Sequence, residues 1–494
     1  MILAIDQGTT GTTCLVFDAE GDLVGRAQRE FTQHFPQPGW VEHDLAEIWA
    51  VTHRVAGEAL EDAGVRPGEL LAVGITNQRE TVCVWDPSTG EPLHRAIVWQ
   101  DRRTAERCDE LRGAGHERRV RELTGLTLDP YFSATKIEWL LDHVDGLRDR
   151  AERGHAVFGT VDAWLIHRLS GELVTDPTNA SRTLLYDLAA GTWSPELLER
   201  FGQIDPAWLP PIRPSCGQLA TTLADRCHGH AVPIAGVAGD QQAALFGQAC
   251  IDPGMGKSTY GTGSFVLINA GYSMPAPVPG LLSTVAAQVG ARVSYALEAS
   301  IFVTGAAVQW LRDGLQIIET AAETEALAAS LRTNDGVYFV PALTGLGSPH
   351  WDPYARGMIV GLTRGNTRAH LARATLEAIA YQTVDAITAM AQITPCERLS
   401  ELRADGGATA NGWLMQFQAD VLGAPVRLPE VTETTALGAA YLAGVGIGLW
   451  TLSGVSDHWR ERRRFEPRMG ADERATLLAG WHRAVGHATG WAEG

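Results

Sequence analysis

Apolar and polar positions divide the chain into two stretches that repeat one theme of strand, Gly/Thr turn and helix. Ile2-Leu3-Ala4-Ile5 is an unbroken apolar run ending on Asp6, which predicts a buried strand with a carboxylate at its tip. Gln7-Gly8-Thr9-Thr10-Gly11-Thr12 reads as a turn, Cys14 to Asp18 as a second strand, and Glu20-Gly21-Asp22 as a turn into a third strand from Leu23. Leu45, Ile48, Trp49, Val55 and Leu60 fit helical spacing, so a helix is expected from Asp44 to Leu60. Asp44 suits its N-cap, and Glu47 three residues later completes a capping box. Leu71 to Ile75 follows as a buried strand. Antiparallel strands, a helix and another strand make an α/β lobe.

The second stretch repeats the logic. Ser258-Thr259-Tyr260 leads through Gly261-Thr262-Gly263 into the strand Phe265 to Ile268, with further strands expected at Thr284 to Gln288 and Tyr295 to Ala299. A helix from Thr367 to Met390 carries Leu371, Leu376, Ile379, Val384 and Ile387. Leu402 to Asp405 is a strand ending in Gly406-Gly407. A helix at Trp413 to Leu422, a strand at Val426 to Leu428 and a helix at Thr435 to Leu449 complete the lobe. The two strand, Gly/Thr turn, strand openings suggest an internal duplication of structure. The boundary is placed near residue 245, giving lobes 1–245 and 246–494. Trp193 to Pro214 reads as irregular surface structure with one short helix.

Bulk properties narrow the picture. A chain of 494 residues exceeds what one hydrophobic core serves, so more than one domain is expected. Lys plus Arg total 40 against 58 Asp plus Glu, a net charge of −18, which argues against nucleic acid as a partner. Seven scattered cysteines, Cys14, Cys83, Cys108, Cys216, Cys227, Cys250 and Cys396, form no CxxC pair, which suits a reducing compartment. A charge follows the first five residues and no run of about 20 apolar residues occurs. No signal peptide and no membrane span are therefore expected, and the cytoplasm is the default location. Only two lysines occur, Lys136 and Lys257; a general preference for arginine explains most of that scarcity.

Candidate chemistry clusters where strands end. Glycines in Asp6-Gln7-Gly8-Thr9-Thr10 let the backbone approach a ligand, threonine hydroxyls bind phosphate oxygens, and Asp6 suits Mg²⁺ held through water. The same segment also suits a plain Gly/Thr hairpin. Tyr260-Gly261-Thr262-Gly263-Ser264 repeats the chemistry, and two such turns suggest a phosphate chain gripped from both lobes. Gly256-Lys257-Ser258 imitates the end of a P-loop, but the initial glycine would fall on Ile251. Arg79 and Glu80 follow the strand at Leu71–Ile75 and can grasp a polyol by donating to one hydroxyl and accepting from another; otherwise they are a surface ion pair. Trp99 is either an apolar wall for a small polyol or core. Asp240, at the tip of the strand Val232 to Val237, suits a general base, and equally a helix N-cap for the segment through Phe246. Gly406-Gly407-Ala408 with Asn411 either admits a flat base or forms a tight strand–helix turn.

These segments together resemble the FGGY family of carbohydrate kinases over essentially the whole chain. Family-level signatures are Tyr131-Phe132-Ser133-Ala134-Thr135-Lys136-Ile137-Glu138-Trp139 and the stretch from Gly357 to Leu371. Segments particular to its glycerol-phosphorylating branch are Ala4 to Thr10, Gly39 to Asp44, Thr76 to Thr81, Gly239 to Gln248 and Tyr260 to Gly263. The resemblance implies an α/β fold of two ribonuclease H-like (actin/hexokinase/Hsp70-like) lobes with an interlobe cleft. It implies ATP and Mg²⁺, and glycerol as the substrate, bound by Arg79, Glu80, Tyr131, Asp240 and Gln241 with Trp99 and Phe265 against its carbons. Asp240 would be the base. Asp6, Thr9, Thr10, Gly261, Thr262 and Gly263 would handle metal and phosphates, with Asp240 a second water-mediated metal contact. Gly406, Gly407 and Asn411 would meet the adenosine. The product would be sn-glycerol 3-phosphate, and the assembly a homodimer or homotetramer.

Three departures bear on these expectations. The family usually continues Ser-Ser-Arg after Asp-Gln-Gly-Thr-Thr, where this chain has Gly11-Thr12-Thr13, so a positive charge near the phosphates is missing. Bacterial members inhibited by fructose 1,6-bisphosphate carry a Gly- and Arg-containing loop where this chain reads Asp225-Arg226-Cys227-His228-Gly229-His230, which puts that feedback in doubt. Ser264 replaces a common cysteine, a small-for-small change. Another polyol or ketose, such as xylulose, erythritol or dihydroxyacetone, is the nearest alternative substrate. A non-catalytic ATP-binding or actin-like chaperone role is opposed by Asp240 beside an intact polyol site.

Overall fold

A computed structural model describes residues 1–66, 68–393 and 399–492. Cys396 lies outside the described residues. The strands expected from the apolar runs form, with ends shifted by a few residues. In the first half, Ile2–Gln7 (β1) and Gly11–Phe17 (β2) make a hairpin, Leu23–Glu30 (β3) extends it, and Ala72–Asn77 (β4) lies parallel to β1. Cys216–Thr221 (β5) and Pro233–Gly239 (β6) pair antiparallel, with β6 parallel to β4.

The second half repeats the scheme. Gly256–Tyr260 (β7) and Ser264–Gly271 (β8) form a hairpin, and Leu282–Val289 (β9) and Arg292–Ile301 (β10) pair antiparallel beyond it. Leu402–Asp405 (β11) runs parallel to β7, followed by Val426–Pro429 (β12) and Glu461–Phe465 (β13). A hairpin whose first strand takes a parallel neighbour thus occurs twice. All thirteen strands join one sheet, ordered β13-β12-β11-β7-β8-β10-β9-β5-β6-β4-β1-β2-β3, and the halves touch edge to edge at Cys216 and Val289.

Alternate residues of β1 serve opposite faces, as strand geometry requires. Leu3 and Ile5 pack with Ile48, Val55 and Ala59 of Leu45–Asp62 (α1). Ile2 and Ala4 pack with Ala436, Ala439 and Ala440 of a helix from the far end of the chain. The other helices needed below are Asp240–Gly247 (α2), Arg368–Ala391 (α3), Gly412–Leu422 (α4) and that covering helix, Thr434–Gly446 (α5). Helix α5 belongs in sequence to the second half and roofs the sheet of the first. Side chains of α3 and α4 form the core of the second half with β7, β8 and β10.

Two local expectations are corrected. Asp44 caps α1 by accepting from Ala46 and Glu47 amides, but the Glu47 carboxylate accepts from Thr32 N at 3.1 Å and Thr32 Oγ1 at 3.0 Å instead of closing a capping box. A neighbouring strand end offered it two donors where the N-cap offered one. The stretch Trp193 to Pro214 contains a helix at Pro195–Arg200 and a 3₁₀ turn at Pro206–Trp208, and Leu197, Phe201 and Trp208 are buried in a hydrophobic cluster. It is part of a core as well as surface. No helix among the described residues is long and apolar enough to cross a membrane.

Candidate active site

Parallel pairing brings three strand tips into line. Asp6 and Ala238 both lie opposite Thr76, and Gln7 and Gly239 both lie opposite Asn77. Asp6, the Gln78–Glu80 turn and Asp240 therefore emerge side by side at the carboxyl ends of β1, β4 and β6, where open α/β sheets bind ligands. Glu80 adopts a left-handed backbone with φ of 62°, a conformation a non-glycine residue holds only where its surroundings enforce it.

The enforcing contacts are ionic. Arg79 Nη1 and Nη2 donate to Glu298 at 2.6 and 3.1 Å, and Arg182 donates from Nε to Glu80 at 2.6 Å and from Nη2 to Glu298 at 3.0 Å. All four side chains are buried. Two guanidiniums and two carboxylates cancel in charge, the condition under which buried ions are tolerated. Burial opposes ionisation of Glu298, yet Arg182 and Arg79 overrule it and hold the carboxyl down at about 2. Arg79 and Glu80 are thus no surface pair. Arg79 Nε also lies 3.1 Å from Asp240 Oδ1, and its Nη2 reaches Tyr131 Oη at 3.5 Å. Trp99 stands edge-on to Tyr131 at 5.5 Å between ring centres, which sets an aromatic pair beside Arg79. Phe265 lies in register with Ser300, two residues from Glu298, so it shares the sheet face that carries Glu298 and is partly exposed there.

Asp240 opens α2 as its first helical residue; Gly239 occupies the N-cap position. The N-cap alternative for Asp240 is therefore corrected, since a strand that runs straight into a helix leaves the cap to the residue before it. Burial, and then the nearby Asp240 charge, push the Asp6 carboxyl up to about 7. Among the described residues no group of three or more His, Cys, Asp or Glu forms a metal cage. An Asp6 carboxyl whose ionisation is opposed by burial and by the Asp240 charge suits a cation that keeps most of its waters.

Thr9 belongs to the turn between β1 and β2. Its hydroxyl accepts from Trp99 Nε1 at 2.9 Å, and its carbonyl accepts from Gln33 Nε2 at 3.0 Å; Thr10 beside it is exposed. In the second half, Gly261 N donates to Gly263 O at 2.8 Å, and Thr304 N and Gly305 N donate to Thr262 O and Gly261 O. A Cβ at Gly406, where φ is +90°, would fall 2.5 Å from Tyr260 O, whereas Gly407 faces open space. Gly261, Thr262, Gly407 and Asn411 line one cavity of about 370 Å³. Its walls are largely apolar, including Leu376 and Ile379, which suits a flat base. Asn411 also caps α4 by accepting from Leu414 N at 2.9 Å.

Sequence reasoning missed Arg182, Glu298, Gly305, Gln309 and Lys257. Gly305 and Gln309 line the same cavity. Both lysines of the chain are buried at this site: Lys136 Nζ donates to Tyr131 O at 3.2 Å, and Lys257 Nζ donates to Gln241 Oε1 at 2.5 Å. Burial pushes Lys136 down to about 7 and Lys257 down to about 8, against the pull of Asp101 and Glu80 on the first and of Asp405, Asp240 and Glu298 on the second. Their scarcity, explained mostly by a preference for arginine, carried no signal of this; packing and strand pairing alone bring them here.

Residues 1–247 match the N-terminal domain of the FGGY family of carbohydrate kinases, and residues 256–447 match its C-terminal domain. The chain is 56% identical over 494 residues to a glycerol kinase of Dechloromonas aromatica, covering 99% of this chain and 98% of that one. It is 54% identical over 496 residues to a glycerol kinase of Deinococcus radiodurans, covering 100% and 98%. Among solved structures, Plasmodium falciparum glycerol kinase with ADP superposes with a TM-score of 0.94 at 35% identity, over 99% of this chain and 98% of that chain.

Proposed function

The chain belongs to the FGGY family of carbohydrate kinases, and on that premise we propose that it transfers the γ-phosphoryl group of ATP to glycerol, giving sn-glycerol 3-phosphate and ADP. The carrying observation is Asp240 at 3.1 Å from Arg79, at the edge of the buried Arg79–Glu80–Arg182–Glu298 quartet and on the strand tip beside Asp6. Glycerol lies between this quartet and the aromatic side formed by Trp99, Tyr131 and Phe265. Arg79 and Gln241 donate to its hydroxyls, and Glu80 and Asp240 accept. Asp240 takes the proton of the terminal hydroxyl as its oxygen attacks phosphorus and ADP leaves. Much of the remaining work is alignment and charge stabilisation, as phosphoryl transfer requires.

Thr9, Thr10, Gly261, Thr262 and Gly263 hold the phosphates from the two hairpin turns, and Gly406, Gly407 and Asn411 meet the adenosine. Asp6, with Asp240, would hold Mg²⁺ through water, and the ion supplies charge neutralisation on the phosphate oxygens when bound. Lobes 1–245 and 246–494 frame the cleft, whose closure excludes water from the γ-phosphoryl group. A cytoplasmic location is supported by six buried free cysteines among the described residues. A homodimer or homotetramer completes the reading.

A coupled ADP-release assay over glycerol, xylulose, erythritol and dihydroxyacetone, with Asp240→Asn alongside, tests it. Glycerol is expected to give the highest kcat/KM, and the variant to lose about 10²- to 10⁴-fold in kcat. ADP release with a ketose but not with glycerol overturns the substrate, and wild-type kcat in Asp240→Asn overturns the base.

A further inference from the structure

Lys257 lies on β7, its side chain fully buried. It stands opposite Leu267 of β8, which in turn stands opposite Glu298 of β10, so Lys257 and Glu298 occupy one face of the sheet. The ammonium donates to Gln241 Oε1 at 2.5 Å and to Thr259 Oγ1 at 2.8 Å. It is attracted by Asp405, Asp240 and Glu298 and repelled by Arg79. Gln241, directly after Asp240 on α2, is only half-buried.

An ammonium carries donors and no acceptor, whereas an amide carries one face of each kind. The atom of Gln241 that meets Lys257 must therefore be its oxygen, and its NH₂ must turn the other way. A neutral, apolar side chain at position 257 would release that constraint and let the amide turn over. We propose that Lys257 is a positioning residue that locks the Gln241 amide with its NH₂ toward the acceptor substrate, so that this wall of the pocket donates to a hydroxyl oxygen and does not accept from a hydroxyl. Asp240, an acceptor beside it, supplies the opposite polarity, and a polyol is oriented by the contrast between the two neighbours. The inference rests on the proposed place of Gln241 in the glycerol pocket.

A lysine that only fills space or balances Asp405 and Glu298 would act independently of Gln241, which a double-mutant cycle detects. Purified Lys257→Met, Gln241→Ala and the double variant are compared with wild type for glycerol and ATP kinetics, with thermal unfolding recorded for each. Each single variant is expected to raise glycerol KM by about ten-fold, the scale of one hydrogen bond to a bound substrate. The double variant is expected to match Gln241→Ala alone, with ATP KM within about two-fold of wild type. Gln241→Glu tests the orientation without touching Lys257. One carboxylate oxygen pairs with the ammonium and the other offers the pocket only an acceptor, so its glycerol KM should rise as in Gln241→Ala. Multiplying penalties in the double variant, or a wild-type glycerol KM in Gln241→Glu, overturns the proposal while glycerol turnover stands. An unchanged KM in Gln241→Ala overturns it by removing Gln241 from the pocket. Absent glycerol turnover in the unmodified enzyme overturns the functional reading itself.

Discussion

The indole N–H of Trp99 donates to the hydroxyl of Thr9 at 2.9 Å, tying the Trp99–Tyr131 aromatic pair to the first Gly/Thr turn. Because that hydroxyl accepts from Trp99, its own proton is free to be donated elsewhere. The turn is braced from its other side by Gln33, whose Oε1 lies 2.8 Å from His43 Nε2. Burial pushes the His43 imidazole down to about 4, so it stays neutral in this brace near neutral pH. Trp99, Thr9, Gln33 and His43 therefore form one braced unit, and it joins the proposed acceptor and phosphate ends of the site.

Trp99→Phe keeps an aromatic side and removes the bond to Thr9. Glycerol KM should stay within about two-fold of wild type, while ATP KM or kcat changes by about five-fold, one neutral hydrogen bond being worth ~1 kcal/mol. Trp99→Ala should raise glycerol KM as well. Steady-state kinetics with each substrate varied decides it; equal glycerol KM in the two variants would remove Trp99 from the pocket wall.

Glu298→Gln leaves Arg79 and Arg182 sharing Glu80 as the one fully buried carboxylate of the quartet, with the part-exposed Asp240 reaching only Arg79. Breaking a buried ionic network costs about 3–5 kcal/mol, measurable by urea unfolding. The folded pKa of about 2 lies below the ordinary 4.5, so the Glu298 charge contributes stability that is complete above about pH 4.5 and lost as pH falls toward 2. The gap between wild type and variant should narrow over that window, and a gap constant with pH would show that the ion pairs do not carry it.

Gly438→Ala tests the crossing of α2 and α5. A Cβ at Gly438 would collide with the carbonyl oxygen of Ala243, and one at Gly247 with that of Thr434. Overpacking there should cost about 1–3 kcal/mol of stability. It should also lower kcat, because α2 begins with Asp240. Wild-type kcat in a destabilised variant would separate the crossing from the position of Asp240.

Thr13→Arg restores the charge missing from the first turn. Thr13 stands opposite Asp6 in the β1–β2 hairpin, half-buried at the site. A guanidinium there should alter ATP KM or kcat by about three- to ten-fold, the scale of a charge-assisted contact to phosphate. No change in either would mean that position 13 does not reach the phosphates.

The strands, helices and strand-tip site candidates were legible because each depends on neighbours in sequence. Ile2 to Ile5 is buried on both faces and reads as an apolar run; Leu45 to Leu60 has one buried face and reads at helical spacing. Asp6, Arg79, Glu80 and Asp240 stood out because each ends or follows such a run. Glu47 misled because its capping-box spacing was correct while Thr32, fifteen residues away, supplied stronger partners.

The partners of those residues were not legible. Arg182 bonds Glu80 across 102 positions, and Glu298 bonds Arg79 across 219. Nothing near either in sequence distinguishes it from a surface arginine or a strand glutamate. Lys257 likewise reads as the tail of a false P-loop until strand pairing turns it toward Gln241, and α5 reads as part of the second lobe until it roofs the first. Local periodicity and turn chemistry therefore determined the elements and which strand tips carry candidate chemistry. The tertiary structure alone decided how those tips are charged, braced and oriented, because a buried charge is set by whichever distant partner the packing delivers to it.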